Sequence, residues 1–162
     1  MGKSLIGFRC APMERVRIGF IGVGARGVRA VERMMNIEGT EVVAICDFIE
    51  KNIESSCAIV AKYGGNKPDT YLGEAGWREL CERDDIDLIY ISTDWVSHAN
   101  IAIHALECGK HTAIEVPVAM SVEDCWRLVD AAEKAQRHCM MLENCCYDEF
   151  ELAPLNMVQQ GL

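Results

Sequence analysis

Three things are scarce in these 162 residues: proline, with only four; basic side chains, 16 against 25 acidic ones; and uninterrupted apolar runs. No stretch approaches the roughly 18 apolar residues that a membrane-crossing helix needs, so no span is expected. A formal charge of -9 has the wrong sign for a surface that collects phosphate backbone, so nucleic acid is not an expected partner. Cysteine is abundant, with nine, but the number is odd and no C-x-x-C pair occurs, so neither a zinc site nor a disulfide framework is expected. Most of the cysteines read as reduced, small apolar core residues, and no metal is expected. With half the residues hydrophobic and mean hydropathy near zero, what is left is a globular domain with one core of ordinary size.

The start, Ser4 to Cys10, has the outline of a lipoprotein signal, but Arg9 directly before Cys10 and the short apolar run argue against it. The cytoplasm is the default compartment on this reading, with export left open if a signal preceded the chain.

Strands and helices alternate along the sequence. Val16 to Ile21 reads as a strand, followed by a glycine-rich turn and a helix with Val28, Val31 and Met34 on one face. Glu41 to Cys46 reads as a strand ending at Asp47, and Ile49 to Tyr63 as a helix closed by Gly64 and Gly65. A short strand is expected near Thr70 and Tyr71, a helix over Gly73 to Glu82, a buried strand over Asp87 to Ile91, and a helix from Trp95 to Glu107 with Val96, Ala99, Ile103 and Leu106 inward. A strand at His111 to Ile114 follows, then a helix opened by a Ser121/Asp124 capping box with Val122, Cys125, Val129 and Ala132 as its buried stripe, then a last strand at Cys139 to Leu142. This order predicts an α/β fold, a doubly wound, mostly parallel sheet of six strands covered on both faces. Residues 1–14 read as an N-terminal extension, 15–147 as the domain, and 148–162 as a helical tail that begins something further and stops at Leu162.

Gly22-Val23-Gly24-Ala25-Arg26-Gly27 is G-x-G-x-x-G set between a strand and a helix, with Asp47 ending the next strand 20 residues after Gly27. The first glycine suits a tight turn, the second lets backbone approach a pyrophosphate, and the third packs helix against strand, while the helix start offers N–H groups to an anion. A glycine-rich turn without a ligand is the weaker reading. A dinucleotide is expected, and Asp47 favours NAD over NADP because a carboxylate accepts from ribose hydroxyls and repels a 2′-phosphate. Arg26 either reaches a phosphate or is simply solvated. A methyltransferase loop binding S-adenosylmethionine is a weaker fit to the full motif.

Three further runs fall at the carboxyl ends of strands, where open α/β sheets bind ligands. In Ser92-Thr93-Asp94-Trp95-Val96-Ser97-His98, the serine, threonine and aspartate suit helix capping, and Trp95 and His98 could flank the nicotinamide side. Glu115-Val116-Pro117 ends the fifth strand, where Glu115 is either part of a site or a solvated rim residue. Asn144-Cys145-Cys146-Tyr147 follows the sixth; the two cysteines are read as packing thiols.

Together these residues resemble the Gfo/Idh/MocA family of NAD(P)-dependent oxidoreductases over roughly residues 15 to 162. The runs R-V-R-I-G-F-I-G-V-G-A-R-G, S-T-D-W-V-S-H-A, E-V-P-V-A-M-S and N-C-C-Y resemble, more narrowly, glycoside hydrolase family 109, the NAD-dependent α-N-acetylgalactosaminidases. Val116 stands where dehydrogenases of the broader family carry the lysine of E-K-P, which weakens a plain dehydrogenase reading. The resemblance implies a Rossmann domain in which Ala25, Arg26, Asp47, Trp95, Val96, Ser97, His98, Glu115, Val116 and Asn144 contact NAD. It also implies a substrate with terminal N-acetylgalactosamine, opened by transient oxidation at C3, elimination across C1 and C2, water addition and re-reduction, an exception to the two-carboxylate scheme. The substrate groups would come largely from a second, α+β domain that this chain does not contain, leaving Tyr147 as the one substrate-side hydroxyl suggested here. The chain alone is then expected to hold NAD without turning over substrate. A homo-oligomer is compatible with this reading, since an absent sheet domain would leave apolar surface uncovered. Two other readings stand beside it: a sugar or inositol dehydrogenase of the same family, and a non-catalytic NAD-binding module.

Overall fold

The computed structural model describes residues 3–161. The first two residues of the extension, and Leu162 at the end of the tail, lie outside the described residues. Six strands form one sheet: β1 (Val16–Ile21), β2 (Thr40–Asp47), β3 (Asp69–Leu72), β4 (Leu88–Ile91), β5 (His111–Ile114) and β6 (Cys139–Met141). Their spatial order is β3-β2-β1-β4-β5-β6, and every adjacent pair is parallel. Parallel neighbours need crossovers, and helices α1 (Ala25–Met34), α2 (Glu50–Lys62), α3 (Gly76–Cys81), α4 (His98–Glu107) and α5 (Val122–Ala135) supply them. A 3-10 turn (Asn144–Tyr147) and helix α6 (Glu149–Gln159) follow the last strand.

Alternating side chains on β-branched strands fill two cores, one on each face. On the α1/α2 face Ile18, Phe20, Val42, Ile45 and Tyr90 pack with Val31, Ile53 and Val60. On the other, Ile21, Cys46, Ile89, Ile91 and Ile114 pack with Leu80, Ile101, Leu106 and Leu128. Each such aliphatic or aromatic side chain taken fully out of water contributes about 1.5–3 kcal/mol, which is why the strand order follows the apolar runs. At the amino ends of β1 and β4, Asp87 accepts from the Arg17 backbone N–H at 2.9 Å and from its Nη2 at 2.7 Å, tying the two central strands together.

Three sequence expectations change. Helix α4 starts at His98 rather than Trp95, and Val96 is 75% exposed instead of inward, because Asp94 Oδ1 takes the N–H groups of Val96 and Ser97 into a turn before the helix. On α5 the Ser121 cap is made, with the Asp124 N–H donating to Oγ at 3.0 Å. Its buried face, however, is Leu128 and Ala132, leaving Val122, Cys125 and Val129 exposed beside Trp126. That helix carries apolar residues on two faces, and only one can meet the sheet. The thiols are all free, but of the nine only Cys46 and Cys81 are buried, while Cys10, Cys125, Cys145 and Cys146 are exposed. The N-terminal extension also has a place: Leu5 packs against the core and Phe8 lies 4.9 Å from the His138 ring.

Candidate functional site

Strand order reverses between β1 and β4, and the crevice there opens at the carboxyl ends of the strands. A cavity of about 760 Å³ occupies it, lined among others by Gly22, Gly24, Asp47, Phe48, Thr93 and Asp94. The three glycines divide their work by geometry. Gly22 has φ of +82°, and a Cβ there would lie 2.6 Å from the Ser92 carbonyl oxygen; a Cβ on Gly27 would lie 2.2 Å from the Gly22 carbonyl oxygen. These two let the loop, β4 and α1 touch. Gly24 is different, for a Cβ on it would meet nothing nearer than Asn52 Nδ2 at 3.9 Å, so its outer side is open to a ligand.

Helix α1 begins at that open point with no side-chain cap and no acid in its first turn, so its first N–H groups and positive dipole end face the crevice. Observed geometry thus fits a dinucleotide: space over Gly24, free donors for a pyrophosphate and a carboxylate one strand away. That carboxylate, Asp47, accepts from the Val23 N–H at 2.7 Å on Oδ2 and from Ile49 N–H and Asn52 Nδ2 on Oδ1. It is locked against the loop, with acceptor capacity left on Oδ2 for a hydroxyl. Ser92 Oγ donates to the Gly22 carbonyl at 2.6 Å, stapling the loop to β4.

At the same carboxyl edge of the sheet, outside the lining of that cavity, the sequence motifs converge on Glu115. The residue is 5% exposed, which settles its two readings against a solvated rim residue. Arg26 Nε pairs with its Oε1 at 2.9 Å, Arg33 Nη2 lies at 3.9 Å, and the Tyr90 hydroxyl donates to the same oxygen at 2.8 Å. Arg26 Nη2 continues to Asn144 Oδ1 at 3.0 Å, so the first turn of α1, the end of β5 and the turn after β6 form one cluster. Arg26 is therefore held by protein partners and not merely solvated; the Glu115 hydrogen bond raises its guanidinium pKa further. Burial and the Glu115 contact push the Tyr90 phenol up to about 12, so it stays a donor at neutral pH.

The W-V-S-H run splits. Trp95 and Val96 are exposed at the rim, at 60% and 75%. Ser97 is taken into the capping turn, its Oγ donating to Asp94 Oδ2 at 2.9 Å, and this bond holds the Asp94 carboxyl below its usual range. His98 is buried beneath the rim, with Nδ1 donating to the Pro117 carbonyl at 2.8 Å and Nε2 unpartnered. Val116 is half-buried, and Asn144, Cys145, Cys146 and Tyr147 are exposed. Exposure removes the packing role expected of the two cysteines. Sequence reading passed over Tyr90, Arg33, Asn52 and the Ser92 staple; the signal for Tyr90 was a lone hydroxyl in the buried strand D-L-I-Y-I, next to a strand ending in glutamate.

Residues 16–143 match the model of the Gfo/Idh/MocA oxidoreductase family, NAD-binding Rossmann fold. In sequence the chain is 54% identical to glycosyl hydrolase family 109 protein 2 of Phocaeicola vulgatus, over 98% of this chain and 38% of that protein. It is 52% identical to an α-N-acetylgalactosaminidase of Bacteroides fragilis, over 98% of this chain and 37% of that protein. The chain thus spans under two fifths of the length of these relatives. Among solved structures it is similar to an NAD-binding protein from Listeria innocua, with a TM-score of 0.74 and 27% identity over 91% of this chain and 41% of that one. It is also similar to a 3-ketoreductase from Actinomadura kijaniata in complex with NADP and TDP-benzene, with a TM-score of 0.74 and 25% identity over 91% of this chain and 43% of that one. By fold, glycine loop and family match, the chain belongs to the Gfo/Idh/MocA oxidoreductase family, as its NAD-binding Rossmann domain, and its sequence is similar to glycosyl hydrolase family 109 proteins.

Proposed function

We propose that this chain is the cofactor-holding part of a longer enzyme that releases terminal α-N-acetylgalactosamine, with residues 15–147 as the domain and 148–162 leading toward a catalytic partner domain. The observation that carries it is the pairing of a ligand-ready glycine loop with about half-identity to family 109 relatives across nearly the whole chain. When bound, NAD supplies reversible hydride acceptance, which suits a transient oxidation of the sugar at C3 with no net redox change.

The chain's own residues bind and orient. Gly24, Ala25, Arg26 and Gly27 take the pyrophosphate on backbone N–H groups and the helix dipole, while Gly22, its own N–H bonded to the Cys46 carbonyl at 2.9 Å, turns the loop toward it. Asp47 takes a ribose hydroxyl and disfavours a 2′-phosphate. Glu115, Val116 and Asn144 border the nicotinamide side, with Trp95 and Val96 at the rim and Ser97 and His98 bracing that rim from below. Val116 brings no proton-transferring group to the position where the dehydrogenases carry lysine, so removal of the C2 proton falls to groups outside this chain. Tyr147, 67% exposed, faces solvent on the same sheet edge and is the substrate-side hydroxyl of this proposal.

The test has two parts. Purified chain binds NAD in calorimetry and releases no aglycone from an aryl α-N-acetylgalactosaminide; release by the 162 residues alone would refute the division of labour. A chimera in which this chain replaces the matching segment of the Bacteroides fragilis enzyme, assayed in deuterated water, releases aglycone with deuterium at C2 and no net NADH. NADH accumulating on free sugars without release would assign a dehydrogenase instead, and bound NAD with neither signal would leave a binding module.

A further inference from the structure

We propose that Tyr90 is a positioning residue for the cofactor loop, acting through Glu115 on Arg26; this rests on the NAD reading of the site. Tyr90 belongs to an interior strand and is 2% exposed, with its ring stacked on Phe20 at 4.9 Å between centroids. Its phenol is not part of the cavity lining. What it does reach is Glu115 Oε1 at 2.8 Å, the same oxygen that holds Arg26 Nε at 2.9 Å. Arg26 sits in the first turn of α1, where the anion lands, and its other arm holds Asn144. A buried carboxylate is oriented by the donors fixed on it, and here Tyr90 supplies a neutral donor from its strand while Arg26 and Arg33 reach the same oxygen, Oε1, from α1. Fixing that carboxylate fixes where the Arg26 guanidinium points before ligand arrives. The hydroxyl is thus preorganisation for an anionic cofactor, built into the core rather than into the loop.

Tyr90→Phe keeps the Phe20 stack and removes only the donor. Its expected effect is a five- to tenfold loss of NAD affinity by calorimetry, about the net worth of one ordinary hydrogen bond. In the Arg26→Ala background the same substitution costs less than twofold, because the relay has already lost its end. Tyr63→Phe, which removes an exposed hydroxyl bonded to Glu32 at 3.0 Å, leaves affinity unchanged. Unchanged affinity in Tyr90→Phe, or additive losses with Arg26→Ala, would overturn the relay while leaving the NAD site intact; wild-type chain that binds no NAD would overturn the site and the relay with it. Should Tyr90→Phe not fold, 3-fluorotyrosine at position 90 gives a second readout. Its fluorine resonance shifts on NAD addition in the wild-type background and stays still with Arg26→Ala, and a shift that survives Arg26→Ala refutes the coupling.

Discussion

Gly24 and Gly27 are three residues apart and answer to different constraints. A methyl group on Gly27 would meet the Gly22 carbonyl at 2.2 Å, backbone that cannot yield without moving the loop, whereas one on Gly24 would stand in open space. Gly27→Ala is therefore expected to lower the melting temperature of the ligand-free chain by several degrees, as overpacking costs about 1–3 kcal/mol. Gly24→Ala is expected to leave that temperature nearly unchanged and to weaken NAD binding, since the methyl would fill the open space proposed for the pyrophosphate; paired thermal and calorimetric measurements separate the two. Asp47→Ala should cost both, because its carboxylate holds the Val23 N–H and, on the proposed reading, takes a ribose hydroxyl. The thiols follow the same logic of surroundings. Burial pushes Cys46 and Cys81 up to about 12, so they should resist a thiol reagent in the native state, while the exposed Cys10, Cys125 and Cys146 react first. Glu143 beside Cys145 raises its pKa, which should make it slower than its neighbour at pH 7.

Elements are joined at both ends of the sheet, by different chemistry. At the amino end, the Arg17 hydrogen bonds hold the Asp87 carboxyl below its usual range. A carboxylate depressed in the folded state adds stability that is present at neutral pH and is lost as pH falls through the depressed value. Asp87→Asn is expected to destabilise the chain at pH 7 by about 1–2 kcal/mol, discounted for the partial exposure of Arg17, and to flatten the loss of stability below pH 4 seen by acid titration. On α5 the Ser121 cap is an ordinary one, and Ser121→Ala should lower stability by about 1 kcal/mol, a shift of a few degrees in the melting temperature. Most element boundaries were legible from apolar period and glycine stops, since strand and helix interiors obey local rules. The two that moved, the start of α4 and the inward face of α5, moved because Asp94 found a local turn and because a helix with two apolar faces leaves the choice to packing.

For the whole molecule, the sheet buries its faces well but α5 carries Val122, Trp126 and Val129 at 75%, 66% and 46% exposure. Isolated chain is expected to self-associate as concentration rises, and light scattering on wild type and Trp126→Glu checks it; a strictly monomeric wild type at all concentrations would contradict the expectation. Saturating NAD at a hundred times its Kd should stabilise the fold by about 2.7 kcal/mol, several degrees in melting temperature, with NADP giving less because of Asp47. Among the described residues no helix is long and apolar enough to cross a membrane.

What the amino-acid sequence determined by itself was the alternation of strands and helices, the parallel doubly wound sheet and the glycine loop with its acid. These follow from period, from the conformational freedom of glycine and from crossovers that have one hand, all of them properties of neighbours in the chain. Tertiary structure alone decided that Glu115 is buried, that the half-exposed Arg26 pairs with it, that His98 braces Pro117 from below the rim, and that Tyr90 reaches Glu115 at all. Arg26 and Asn144 are 118 positions apart, and Tyr90 lies on β4 while Glu115 follows the end of β5. Such contacts exist only once β4 and β5 are side by side, and burial then makes each polar atom answer for its partner.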